Sequence, residues 1–203
     1  MISLFLLAYL IGSIPFGLLL AKVAGYGDIR AIGSGNIGAT NVLRTGNKKL
    51  AALTLLLDGG KGAMATVLVF QIAPYLCCGS TPQFRSFFGL AIGFTAILGH
   101  NFPLWLKFKG GKGVATTLGV LLAAVPGAGL AACGAWLATA ILSRISSLSA
   151  LVALTTAPLV TFFVYGPGPA AVCVLITLLG FIRHKDNIKR LLKGEEPRIG
   201  KNK

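Results

Sequence analysis

Apolar residues along this chain come in long runs, broken by short clusters of Gly, Pro and charge. Crossing the hydrocarbon of a bilayer takes about 20 apolar residues in a helix, so runs near that length read as spans. Ile2 to Val23 is the first, and with no basic stretch ahead of it and no small-residue cleavage site it reads as a retained span rather than a leader. Leu50 to Leu76 follows, interrupted by Asp58 and Lys61, and then Phe87 to Leu106. Val114 to Leu142 is too long for one crossing and divides at Pro126-Gly127 into two shorter helices. Leu148 to Tyr165 and Pro169 to Ile182 complete the set, separated by the Gly166-Pro167-Gly168-Pro169 turn. The pattern predicts an all-α integral membrane protein of about seven transmembrane helices, with residues 1–203 as one polytopic domain.

The cations orient this bundle. With the N-terminus outside and the C-terminus cytoplasmic, the connections near residues 24–50, 107–113 and 143–147 and the tail after Ile182 share the cytoplasmic side. The connections near 77–86, 126–129 and 166–169 then contain Arg85 alone. Lys61, inside the second run, is compatible with the cytoplasmic end of that span. Asp58 and Lys61 are three apart and share a helix face, which reads as a paired charge at the membrane boundary in preference to a catalytic pair. An internal echo, GGKGAMAT at Gly59 and GGKGVATT at Gly110, is too short to establish a duplicated fold.

Composition changes the picture in one respect. Only 12% of residues are charged, about half the share of a soluble domain. Nineteen Lys or Arg against five Asp or Glu give a net charge of +14, which elsewhere would point to nucleic acid. The apolar runs assign that excess to a membrane instead, and no nucleic-acid partner is expected. Cys77, Cys78, Cys133 and Cys173 lie in or beside apolar segments without paired metal-ligand spacing, and read as small apolar residues.

The polar segments are unusual for connectors. GSGNIGATNVLR, Gly33 to Arg44, sets Ser34, Asn36, Thr40, Asn41 and Arg44 on a glycine-rich backbone, many donors in a short space, as a phosphate requires. Its Gly33-x-Gly35-x-x-Gly38 spacing matches a dinucleotide fingerprint only formally, because a membrane span rather than a strand precedes it. GHNFPLWLKFKGGKGVATT, Gly99 to Thr117, places Lys107, Lys109 and Lys112 around a Gly110-Gly111-x-Gly113 turn that opens a helix, an arrangement suited to an oxyanion. Ser143-Arg144-Ile145-Ser146-Ser147 is a hydroxyl-rich turn. In RHKDNIKRLLKGEEPRIG, from Arg183, His184 and Asn187 share a face, and Ile188, Leu191 and Leu192 form the apolar side of a short interfacial helix. No Ser–His–acid set, polar cysteine or metal-binding cluster is legible, and no metal or cofactor is expected. An enzyme with this inventory works by positioning anions and stabilising charge, on a substrate that brings its own reactivity. The alternative is a small transporter or channel for an anionic solute, but transport favours polar residues continuing through the midplane, and here they gather on one side.

The blocks SGNIGATNVLR, GHNFPLWLKFKGGKGVAT and RHKDNIKRLLKGEEPRIG closely resemble those of the bacterial acyl-phosphate-dependent glycerol-3-phosphate acyltransferases, the PlsY family, over nearly the whole chain. The H-x-x-x-x-D pattern of a different acyltransferase class is absent at His100 and His184. The resemblance implies transfer of a fatty acyl group from acyl phosphate to the 1-hydroxyl of glycerol 3-phosphate, giving lysophosphatidic acid and phosphate, the first acylation of phospholipid synthesis. It implies the bacterial plasma (inner) membrane, an active site at the cytoplasmic face, membrane lipid as surroundings, and no obligatory protein partner. By matching positions, Ser34, Arg44 and Lys112 would bind phosphate oxygens. Asn36, Thr40, Asn41 and the Gly110, Gly111 and Gly113 turn would complete the pocket. His184 and Asn187 would orient the glycerol hydroxyls, and with Lys112 they are the expected catalytic residues, none a covalent nucleophile. The family often has Tyr where this chain has Ile145. Ser147 is the better match for a substrate-facing serine, with Ser146 and Ser149 left open.

Overall fold

The computed structural model describes residues 2–76 and 81–200, so Cys77 and Cys78 lie outside the described residues. Among the described residues ten α-helices follow in order: α1 (Ile2–Gly12), α2 (Phe16–Val23), α3 (Ala39–Val42), α4 (Lys48–Leu76), α5 (Pro82–Asn101), α6 (Val114–Ala124), α7 (Pro126–Ser143), α8 (Ser146–Tyr165), α9 (Pro167–Arg183) and α10 (Lys185–Leu192). No strand occurs among the described residues.

Each expected span is largely helical, though the Phe87 to Leu106 run leaves α-helix after Asn101, and the breaks fall where the chain chemistry requires. Pro15 has no N–H and ends the first helix run, so α1 and α2 together make one interrupted span, Ile2–Val23. Carbonyls freed by such a break need donors in an apolar setting. Trp105 Nε1 donates to the Ser13 carbonyl at 3.1 Å and to Ser13 Oγ at 2.8 Å, and Lys61 Nζ donates to the Ile14 carbonyl at 2.7 Å. Pro126 opens α7, splitting the long run where the sequence placed the division. Gly166, at φ +91, turns the chain into Pro167, so α9 begins two residues earlier than expected.

Length separates the helices. Among the described residues five segments are long and apolar enough to cross a membrane, and a sixth is reached if α9 and α10 count as one span bent by 65°. The seventh expected span, α6, has 11 residues. At 1.5 Å per residue it rises about 17 Å, roughly half a hydrocarbon core, and it packs inside the bundle instead. Val120 and Leu121 of α6 join Leu90, Ile97, Val125, Leu154 and Ile176 in the central apolar cluster. Helix α6 also meets α4 closely: a Cβ on Gly62 would stand 2.4 Å from the Thr116 carbonyl oxygen, and one on Gly119 would stand 2.0 Å from that of Gly59. Small residues at such contacts let helix backbones approach where lipid gives little hydrophobic drive. Outward, Leu142, Phe163 and Ile182 are largely exposed, the surface of a multi-pass membrane protein facing lipid.

Candidate active site

Polar segments from four parts of the chain meet at one end of the bundle. In the first, Asn41 is buried and organises the loop. Its Nδ2 donates to the carbonyls of Ile29 at 2.7 Å, Asn36 at 2.8 Å and Ile32 at 3.2 Å. Its Oδ1 accepts from Ser34 N at 3.0 Å and Ser34 Oγ at 3.3 Å. Both amide hydrogens therefore go to carbonyls, and Asn41 shapes the loop that presents Ser34 rather than offering a free donor. Gly33 adopts φ +56, and the Arg44 side chain crosses it closely enough that a Cβ there would meet Cδ and Nη1 at 2.6 Å. Asn36 keeps a buried Oδ1 with no hydrogen-bond partner. Thr40 Oγ1 lies 3.2 Å from Ser146 Oγ, joining this loop to the α7–α8 turn.

The second segment is the turn between α5 and α6. Gly110 N donates to the Asn101 carbonyl at 3.2 Å and Gly111 N to the His100 carbonyl at 3.1 Å, so these two amides are committed inside the protein. Arg183 holds the same turn from α9: its Nη2 donates to the Gly110 and Gly111 carbonyls at 3.0 and 2.8 Å, and its Nε to that of Gly111 at 3.1 Å. What the turn leaves to present is Lys112, Gly113 and the first turn of α6, whose N–H groups have no intrahelical partner.

Lys112 Nζ donates to Asn187 Oδ1 at 2.5 Å, and Asn187 Nδ2 donates to Glu196 Oε1 at 2.5 Å. Ser147 Oγ donates to the same carboxylate oxygen at 2.7 Å, while Arg190 Nε donates to Glu196 Oε2 at 2.7 Å. Among the three candidate serines, Ser147 alone reaches this cluster: Ser149 Oγ bonds the Ile145 carbonyl and Ser146 faces Thr40. Asn187 and Ser147 thus meet on one carboxylate oxygen, and Lys112 is joined to it through Asn187.

Electrostatics follow from this crowding. Burial lowers Lys112 to about 8; Glu196 opposes the shift, and the cations Arg190, Arg183 and Arg44 add to it. Burial likewise lowers His184, past the end of the α9 span, to about 4. Its Nδ1 lies 2.7 Å from the Gly180 carbonyl, an acceptor, so Nδ1 carries the hydrogen and Nε2 of the neutral ring carries a lone pair. Burial pushes the Glu196 carboxyl up, but hydrogen bonds from Asn187, Ser147 and Arg190 prevail and hold it below the usual range.

Arg183, Arg190 and Glu196 were not singled out by sequence. A usable signal existed for Glu196: it is one of only five acidic residues in a strongly basic chain, so an acid within a cationic tail is better placed to organise cations than to solvate a surface.

A model of the family described as glycerol-3-phosphate acyltransferase matches residues 2–194. The chain is 57% identical over 195 residues to the glycerol-3-phosphate acyltransferase of Paramagnetospirillum magneticum, covering 96% of this chain and 92% of that one. To the protein of the same name from Rhodospirillum rubrum it is 56% identical over 198 residues, 98% of this chain and 90% of that one. Among solved structures it is similar to PlsY (YgiH), an integral membrane glycerol 3-phosphate acyltransferase, in its glycerol 3-phosphate form, with 37% identity, a TM-score of 0.87, and 98% of this chain and 95% of that chain covered.

Proposed function

The chain belongs to the glycerol-3-phosphate acyltransferase family, and from that membership we propose that it transfers a fatty acyl group from acyl phosphate to the 1-hydroxyl of glycerol 3-phosphate. The products are lysophosphatidic acid and inorganic phosphate. The observation that carries this reading is the convergence of Asn187, Ser147 and Arg190 on the Glu196 carboxylate, with Lys112 joined to it through Asn187 and Arg44 close enough to act on Lys112. A carboxylate held by a cation, an amide and a hydroxyl marks where phosphate oxygens would be received.

An acyl phosphate is a mixed anhydride with a good leaving group, so the protein's task is to align and neutralise rather than to supply a nucleophile. The hydroxyl oxygen attacks the acyl carbon, the bond from that carbon to the bridging phosphate oxygen breaks, and the proton passes to the departing phosphate. His184, lowered to about 4, is a weaker base than a phosphate whose second pKa is about 6. Its Nε2 lone pair serves to accept and orient the hydroxyl. The acyl chain lies among the apolar helices, in membrane lipid, with both phosphates at the polar end of the bundle. We place that end at the cytoplasmic face of the bacterial inner membrane, with the N-terminus outside.

Purified protein given glycerol 3-phosphate and acyl phosphate should release lysophosphatidic acid and phosphate. Product from an acyl thioester but none from acyl phosphate would overturn the donor, and no product from either would overturn the activity.

A further inference from the structure

Beneath the phosphate turn lies a charge cluster that the reaction scheme leaves unused. Asp58, Lys61 and His100 are all buried. Lys61 Nζ donates to Asp58 Oδ1 at 2.7 Å and to the Ile14 carbonyl at 2.7 Å, and it lies 2.9 Å from His100 Nδ1. An ammonium has three hydrogens and no acceptor, so the third bond makes His100 Nδ1 the acceptor and leaves the ring hydrogen on Nε2. That Nε2 abuts Gly111, where a Cβ would stand 2.0 Å away. The backbone of the same histidine bonds Gly111 N, and Gly111 precedes Lys112. Arg183 faces the turn from the other side, through the Gly110 and Gly111 carbonyls. The turn is therefore held between one guanidinium and one imidazole, and the imidazole is fixed by a lysine that is itself fixed at three points.

We propose that Asp58, Lys61 and His100 are positioning residues that hold the Gly110–Gly113 turn, and with it Lys112, in register to receive a substrate phosphate. None of the three touches substrate. They act through Gly111, and a turn free to shift would lose phosphate affinity before it lost chemistry. The inference rests on the proposed phosphate seat at Lys112.

The test compares the wild type, the double variant Asp58→Asn/Lys61→Met, His100→Ala and His100→Gln, with KM and kcat measured for glycerol 3-phosphate and for acyl phosphate. The double variant removes both buried charges together, and Gln can place an N–H where Nε2–H stands. The double variant and His100→Ala should each raise KM for at least one phosphate substrate by about tenfold with kcat changed less than about threefold, and His100→Gln should restore KM to within about threefold of wild type. KM unchanged in both disrupting variants, or equal loss in His100→Ala and His100→Gln, would overturn the proposal. So would a loss of kcat alone. If the double variant fails to fold, the two His100 variants decide by themselves. A wild type that acylates nothing would count against the proposed function instead.

Discussion

Two eight-residue stretches of this chain share five residues, the leading GGKG and the final Thr, and fold in two ways. Gly59–Thr66, GGKGAMAT, is continuous helix in the middle of α4, whereas Gly110–Thr117, GGKGVATT, is an open turn that becomes the start of α6. The surroundings decide. A largely apolar run, Leu50 to Leu57, with Thr54 its one polar residue, leads the first copy into helix despite its glycines. Pro103 and the left-handed Lys107 and Phe108 carry the second copy out of α5 and let Gly113 turn at φ +80. The two lysines accordingly differ. Lys61 is 3% exposed, and all three of its donors are met inside the protein. Lys112 is held by one amide and stands among three arginines. A buried cation with every donor used builds structure, and a cation crowded by like charge awaits an anion. The two copies pack against each other, Gly62 on Thr116 and Gly59 on Ala115, so the structural lysine lies beneath the candidate catalytic one.

The contrast can be broken at either copy. Lys61→Met leaves Asp58 buried without its partner and should lower stability by about 3–5 kcal/mol, read by thermal unfolding in detergent. Adding Asp58→Asn should recover most of that loss, and a stable single variant would refute the internal pairing. Gly111→Ala drives a methyl into His100 and should raise KM for at least one phosphate substrate by about tenfold or more through displacement of the turn, with kcat changed far less, whereas the equivalent position of the first copy should tolerate the change.

Much of this contrast was not legible in the sequence. Span order, the break at Pro126 and the clustering of polar segments follow from local period and punctuation, which a chain carries residue by residue, whereas the break at Pro15 inside the expected Ile2–Val23 span was not anticipated. The pairing of Lys61 with His100, 39 residues away, depends on how two helices are rotated about their axes. The sequence placed the Asp58–Lys61 pair at a membrane boundary; the structure forms that pair but closes it within the bundle. Asn41 was expected to offer donors outward and instead directs them to its own loop, because a glycine-rich segment without helix or strand needs some side chain to satisfy its carbonyls. Glu196 reaches the site through the path of the tail, which no periodicity describes.

Two smaller effects sharpen the difference. With Lys112 lowered to about 8 in the free protein, its charge is present below that pH and lost above it, so kcat/KM for glycerol 3-phosphate should fall as pH rises through about 8. Lys112→Arg should move that fall beyond the accessible range, and an unmoved limb would assign it to another group. At the silent position, a Cβ on Gly60 meets nothing within 4 Å. Gly60→Ala should leave activity unchanged and stabilise α4 by about 0.5–1 kcal/mol, seen as a small rise in unfolding temperature.

The division of labour between the two lysines is tested most directly by titrating glycerol 3-phosphate into purified wild type and Lys112→Met at pH 7 and following the heat of binding. Loss of a charge-assisted phosphate contact should weaken binding by about tenfold or more. Equal affinity in the two proteins would contradict a phosphate seat at the second glycine turn.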